Sequence, residues 1–203
     1  MNQKELIIVV DFGGQYNQLI ARRIRENHVY CEVYPYDKAV AKIKELNPMG
    51  VIFTGGPNSV YEEKSPRIEA EVFELGTPVL GLCYGMQLMA HTLGGEVKSA
   101  DAREFGKTPV KVNTQSPLFK GLSEDETVWM SHVDYVASVP EGFEIVGHTA
   151  NCPVAAMQNV ERKLYAMQYH PEVLHSEHGK EMIHNFLFEV CGCHGEWTMA
   201  NYA

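Results

Sequence analysis

The sequence predicts an α/β protein: an open, mostly parallel sheet with helices on both faces, plus a small antiparallel or mixed extension. Three observations predict it. Over residues 1–95, short β-branched apolar runs alternate with amphipathic segments, the pattern of strands joined by crossover helices. Two glycine-punctuated turns, Asp11-Phe12-Gly13-Gly14 and Gly81-Leu82-Cys83-Tyr84-Gly85, follow apolar runs where strand gives way to helix. After Gly94-Gly95 the crossover rhythm gives way to alternating runs separated by turn residues.

The elements follow in order. Residues 6–10, Leu-Ile-Ile-Val-Val, form a first strand, and residues 15–26 a helix with Leu19, Ile20 and Ile24 on one face. Residues 29–34 and 50–54 are strands separated by a helix over 38–46. A third helix is expected over 66–75 and a fourth strand over 78–82. A helix over 86–93 then ends at Gly94-Gly95. Within 96–166 the runs 109–112, 127–130, 144–146 and 154–157 suggest the mixed extension. Residues 159–163 read as a hairpin turn before a strand over 164–169, and a last helix spans about 180–190. The expectation is a single domain over residues 1–203: crossovers to 95, mixed strands over 96–169, and a closing segment over 170–203.

Composition narrows the function classes. The chain has 203 residues, 45% of them hydrophobic, enough for one sizeable core. No apolar stretch approaches the roughly 20 residues that a membrane-spanning helix needs. The opening Met1-Asn2-Gln3-Lys4-Glu5 lacks the parts of a signal peptide, so a soluble, cytoplasmic protein is expected. Five cysteines without regular spacing argue against a disulfide framework. A net charge of −9 disfavours a nucleic-acid partner, because phosphate binding needs a concentrated basic surface.

The chemistry centres on Cys83. Gly81-x-Cys83-x-Gly85 has the layout of a nucleophile elbow with sulfur in place of oxygen. A nucleophile on a sharp strand-to-helix turn has a strained backbone, and flanking glycines relieve the crowding. The following helix directs its N-terminus at the sulfur and favours thiolate. The N–H of Tyr84 is then placed to bind an oxyanion. The competing reading is a buried cysteine in a tight turn, since free cysteine is among the most buried residue types. A catalytic thiol needs a base, and the base an orienting acceptor. Tyr169-His170-Pro171-Glu172 supplies both: two apart on an extended segment, His170 and Glu172 point to the same side, which gives a Cys…His…Glu order.

These residues resemble the class I glutamine amidotransferases. Three anchors carry the resemblance: Thr54-Gly55-Gly56-Pro57, Gly81-Leu82-Cys83-Tyr84-Gly85-Met86-Gln87, and Gln168-Tyr169-His170-Pro171-Glu172. It implies a flavodoxin-like fold and hydrolysis of the side-chain amide of L-glutamine by Cys83, His170 and Glu172 through a glutamyl thioester. It implies a second oxyanion donor from Gly55 or Gly56, a substrate contact from Gln87, and further contacts from Ser131, His132 and Val133. Within the family the chain is most similar to the glutaminase domain of GMP synthetase. That likeness rests on Val10-Asp11-Phe12-Gly13-Gly14-Gln15-Tyr16, Arg103-Glu104-Phe105-Gly106, Trp129-Met130-Ser131-His132, Cys152-Pro153-Val154 and Cys191-Gly192-Cys193-His194. It implies a partner, an ATP pyrophosphatase (synthetase) domain or subunit that aminates XMP to GMP. ATP and Mg would act only there, and no cofactor or metal is expected in this domain. The synthetase signature Ser-Gly-Gly-x-Asp-Ser is missing, its nearest counterpart being Thr54-Gly55-Gly56-Pro57-Asn58-Ser59. The expectation is a domain cut from a longer polypeptide that kept its Trp197-Thr198-Met199 tail.

One departure stands out: the family usually has glycine where this chain has Val133 between His132 and Asp134. If that position needs positive φ, or a close approach of the backbone to the glutamine, valine is costly there. A γ-glutamyl peptidase, the glutaminase of another family member, and a catalytically weak regulatory module stay open as alternatives. Asp11-Phe12-Gly13-Gly14-Gln15 is read as a structural turn, Cys191-Gly192-Cys193-His194 as a structural tail, and Ser123-Glu124-Asp125-Glu126 as a solvated loop. His175, His178 and His184 are read as solvated or capping groups. Arg103-Glu104 is either a contact for the synthetase or a surface ion pair.

Overall fold

The structure, a computed structural model, describes residues 5–198. The lead-in at residues 1–4 and Met199 of the tail lie outside them. Among the described residues, nine strands form one sheet in the order β2-β1-β3-β4-β9-β8-β7-β5-β6. β1 (Leu6–Asp11) pairs in parallel with β2 (Tyr30–Pro35) and β3 (Gly50–Phe53). β4 (Val79–Leu82) pairs in parallel with β3 and with β9 (Leu164–Met167). From β9 outward the sheet turns antiparallel through β8 (Ala156–Asn159) and β7 (Glu144–His148), ending in the ribbon of β5 (Glu96–Val112) and β6 (Asp125–Ser138).

The central strands are apolar on both sides, as a parallel sheet covered on two faces requires. Ile7 and Val9 of β1 pack on the face that holds Ile20 and Ile24 of α1 (Asn17–Glu26) and Met182 and Ile183 of α4 (Gly179–Asn185). Leu6, Ile8 and Val10 face the opposite layer, with Val40 and Ile43 of α2 (Tyr36–Leu46) and Met86 and Met89 of α3 (Tyr84–Thr92). The period-2 alternation of one strand thus divides the core between two helix layers. Among the described residues no helix is long and apolar enough to cross a membrane.

Two expected helices differ from the prediction. Over residues 66–75 only a short 3₁₀ turn forms, Ala70–Glu74. Its approach is spent on tertiary anchors: the Pro66 carbonyl accepts from the Tyr84 hydroxyl, and Arg67 Nη2 donates to the Val60 carbonyl at 2.6 Å. Gly76 and Pro78 then stop it. The last helix widens after Asn185 into a π turn, Phe186–Val190, closed by Cys191 N–H on the Phe186 carbonyl at 2.9 Å. Phe186 and Leu187 stay buried through the widened turn.

β6 alternates buried and part-exposed positions along most of its length. Its partner β5 carries a bulge: Ser99 pairs with Asp134 and Glu104 with His132, so residues 100–103 oppose Val133 alone.

The elbow between β4 and α3 has no space for added carbon. A Cβ on Gly81 would lie 2.7 Å from the Gly85 carbonyl oxygen, and one on Gly85 would lie 2.6 Å from Phe53 Cβ and 2.7 Å from its carbonyl oxygen. Backbone and a buried strand cannot yield cheaply. We expect Gly85→Ala to lower stability by about 2 kcal/mol or more, measured by urea unfolding. A loss under about 0.5 kcal/mol would show that the elbow tolerates a methyl group.

Candidate active site

The turns after β1, β3 and β4 and the segment after β9 open at the carboxyl end of the parallel strands, the usual ligand edge of such sheets. They line a cavity of about 630 Å³ to which β6 also contributes. Cys83 sits at its base, 8% exposed, with φ +53° and ψ −108°. This is backbone that a side-chain-bearing residue rarely adopts. Its N–H is tied to the Met167 carbonyl at 2.9 Å, and its own carbonyl accepts from Met86 and Gln87 N–H in the first turn of α3. α3 therefore starts at Tyr84, next to the sulfur-bearing residue, and Tyr84 also lines the cavity.

His170 follows β9 and is buried. Its Nδ1 lies 2.7 Å from Glu172 Oε1. Its backbone is fixed at both ends: the N–H donates to the Trp129 carbonyl at 3.1 Å, and the carbonyl accepts from the Ser176 hydroxyl at 2.7 Å. Ser176 Oγ in turn accepts from Trp129 N–H at 2.9 Å. Burial works against a charge on this ring. Hydrogen bonds to Cys83 and Glu172 and the negative charge on both outweigh it and hold the imidazole pKa up, at about 11. Sulfur and imidazole are thus direct partners, an arrangement that favours the protonated ring.

The remaining residues singled out in the sequence line the same cavity. Gly55 stands against both the imidazole and the thiol: a Cβ there would meet His170 Cε1 at 3.3 Å and Cys83 Cβ at 3.7 Å. Gly56 passes so near Phe12 that a Cβ would lie 2.7 Å from its carbonyl oxygen. Thr54 anchors this turn by donating its hydroxyl to the Val10 carbonyl at 2.8 Å. Ser131 and Val133 contribute from β6, the Ser131 carbonyl oxygen lying 3.9 Å from the sulfur. Gln87 is buried at the cavity wall, where its Nε2 donates to the Asp134 carbonyl at 3.0 Å and to Gln168 Oε1 at 3.2 Å.

Val133 does not occupy a positive-φ position that would favour glycine. It lies within β6 and is absent from the positive-φ positions among the described residues. The β-branched side chain is at home in extended backbone. His132 also lines the cavity, and both of its ring nitrogens have partners within the protein. Its Nδ1 lies 2.8 Å from the Asp134 carbonyl and its Nε2 2.9 Å from Glu104 Oε1, while Glu104 Oε2 accepts from the Thr149 hydroxyl at 3.0 Å. Glu104 is therefore a part-buried partner of His132 and Thr149 that ties the β5 bulge to β6. Cys152 lies beside this pair, its Sγ on the Val154 carbonyl at 3.4 Å.

Packing revises one further expectation, at Glu126, while His175, His178 and His184 are exposed and His178 stands at the N-cap of α4. Glu126, read as part of a solvated loop, is buried; it accepts from Ser123 N–H and lies 2.5 Å from His178 Nδ1. His175 packs on Trp129, and His184 contacts Asn27 Oδ1 at 2.8 Å. The Gly13-Gly14 turn closes as an Asx turn, with Gly13 N–H on Asp11 Oδ1 at 2.7 Å, and also lines the cavity. A Cβ on Gly14 would lie 2.4 Å from the Gly55 carbonyl oxygen, so this turn packs directly on its neighbour. Cys191 and Cys193 are buried, Cys191 against Gly50.

Sequence reasoning assigned no role to four residues that frame the site. Arg23 of α1 is buried and donates from Nε to the Glu172 carbonyl at 2.9 Å. Ser176 holds His170. Asp134 accepts hydroxyl hydrogen bonds from Ser59 and from Tyr61, the latter at 2.8 Å, and so ties the Gly55-Gly56 turn to β6. Gln168 touches the sulfur itself. A buried arginine on an otherwise apolar helix face was the one available sequence signal.

Residues 8–190 match the family model "Glutamine amidotransferase class-I", and the chain belongs to that family. Among its relatives, the GMP synthase [glutamine-hydrolyzing] of Clostridium novyi is 60% identical over 201 residues, covering 99% of this chain and 39% of that protein. That of Clostridium botulinum (strain Kyoto) is 60% identical over 200 residues, again 39% of its length. The chain spans about two fifths of these curated relatives. A Thermoplasma acidophilum protein, provisionally described as one subunit of a GMP synthase, superposes with a TM-score of 0.79 at 32% identity, covering 94% of this chain and 96% of that one. A Thermotoga maritima glutamine amidotransferase shares the fold, with a TM-score of 0.75 at 18% identity over 95% of this chain and 100% of that one.

The proton position can be read directly. In a histidine NMR titration, His170 should remain imidazolium through pH 9, far above the ordinary value near 6.5. In Cys83→Ala its midpoint should fall, because a hydrogen bond and a charge that favour the cation are removed while burial persists. A midpoint near 6.5 in the parent would contradict this arrangement.

Proposed function

We propose that this chain is the glutaminase part of a GMP synthase, hydrolysing the side-chain amide of L-glutamine to glutamate and ammonia. The observation that carries the reading is the meeting, in one cavity, of a strained elbow thiol with a buried imidazole held by a carboxylate. Cys83 sulfur attacks the amide carbon, and the carbonyl electron pair moves onto oxygen. N–H groups of Tyr84 and of Gly55 or Gly56 receive that oxyanion. His170 gives its proton to the amide nitrogen, the C–N bond breaks, and ammonia leaves a glutamyl thioester. His170, now neutral, takes a proton from water as the water attacks the thioester, and glutamate departs with the thiolate restored. Glu172 holds the ring in one tautomer throughout and stabilises its charge.

The relatives' names support XMP amination as the use of the ammonia, by a separate ATP pyrophosphatase domain or subunit. To that partner we assign ATP and Mg. The bond of Ser59 to Asp134 and the place of Gly55 against the thiol support reading the Thr54–Ser59 turn as part of the glutaminase site. The absence of positive φ at Val133 supports a working enzyme over a weakened module.

Mixing the chain with a GMP synthetase ATP-using domain should yield glutamine-dependent GMP from XMP. Cys83→Ala should abolish it while free ammonia still supports the reaction. Glu172→Gln should lower glutamine hydrolysis by about 10²–10⁴-fold. Cleavage of γ-glutamyl peptides in preference to glutamine, with no GMP formed, would favour the peptidase reading instead.

A further inference from the structure

We infer that Gln168 is a catalytic residue whose side-chain amide donates a hydrogen bond to the Cys83 sulfur, and that Gln87 fixes the direction of this bond. Gln168 Nε2 lies 3.6 Å from Cys83 Sγ, and Gln168 is fully buried at the end of β9. An amide side chain can turn over, so its donor end must be argued from its neighbours. Here the neighbours decide. The backbone carbonyl of Asp134 can only accept, so Gln87, 3.0 Å away, must present its amino group there. That same amino group lies 3.2 Å from Gln168, which must therefore turn its oxygen toward Gln87. The amino end of Gln168 is left facing the sulfur. The relay runs from β6 through α3 to β9 and ends on the nucleophile. Its starting point cannot be reversed, because a backbone carbonyl has no donor form.

The chemistry follows. A thiolate in a nearly closed site loses hydration and needs donors in its place. His170 supplies one and is consumed as the acid when ammonia leaves. The Gln168 N–H carries no transferable proton at neutral pH, so it stays with the sulfur through attack, thioester formation and release. It is a fixed donor beside a mobile one. Gln87 does not touch the sulfur through this relay, and its part in it is positioning.

This inference rests on Cys83 being the nucleophile, yet its test reads the thiol alone and needs no glutamine turnover. Iodoacetamide alkylation of the Cys83 peptide is followed by mass spectrometry across pH in the parent, Gln168→Met and Gln87→Met, with folding checked by thermal unfolding. The other thiols react slowly: burial pushes Cys31 up to about 11 and Cys152 and Cys193 up to about 12, and Cys191 well above its ordinary range. The titratable groups around the sulfur are His170 with Glu172 behind it, His132 and Asp134 of β6, Tyr16 of the first turn and Tyr84 of α3, and all are unchanged in both variants. On the acid side of the profile Gln168→Met should be alkylated about threefold to tenfold more slowly than the parent, the two converging at alkaline pH. Gln87→Met should shift in the same direction by a smaller factor, because Gln168 is then free to turn. A merely structural role would lower thermal stability and leave the profile in place. If Gln168→Met does not fold, Gln87→Met alone decides. A folded variant whose acid limb superimposes on the parent's overturns the inference.

Discussion

At Cys83 the chain leaves β4 and enters α3 with φ +53°, and the site depends on that bend being held. Such backbone costs about 1–3 kcal/mol at a residue with a side chain. The fold meets the cost by making the alternatives worse. Met167 of β9 accepts the Cys83 N–H, and the α3 N–H groups of Met86 and Gln87 bind its carbonyl. Gly81 and Gly85 touch backbone that no methyl group could pass. The bend aims the sulfur into the cavity and sets the start of a helix beside it.

The parallel half of the sheet gathers the turns, and the antiparallel half braces them. Thr54 and Asp11 lock the turns after β3 and β1 locally. β6 then reaches across: Asp134 holds Ser59 and Tyr61, the Trp129 carbonyl holds His170, and Trp129 N–H holds Ser176. Arg23 closes the far side at the Glu172 carbonyl. Backbone groups do much of this bracing, which is why it left so little trace in residue types.

The strands β1 to β4 and the elbow were legible because each is a local pattern: apolar runs, helical spacing, and glycines around one cysteine. The His-x-Glu pair was legible for the same reason. Two kinds of feature were not. The helix expected over 66–75 had the composition of a helix, but tertiary anchors at Pro66 and Arg67 prevailed over propensity. Glu104, Glu126 and His132 looked like surface or substrate groups, and only sheet register pairs Glu104 with His132 across the β5 bulge. Gln168 stood within a recognised motif, yet its role depends on an acceptor contributed by β6 and a donor contributed by α3.

In the proposed reaction the thiol, the imidazole and the relay behind them serve one covalent step, and that step leaves an adduct. Acid quenching of the chain during glutamine turnover, followed by peptide mapping, tests it most directly. A glutamyl group should be found on the peptide containing Cys83, appearing before steady state and absent when glutamine is replaced by glutamate. Turnover with no adduct on that peptide, or with the adduct on another residue, would contradict the assignment of Cys83 as the nucleophile.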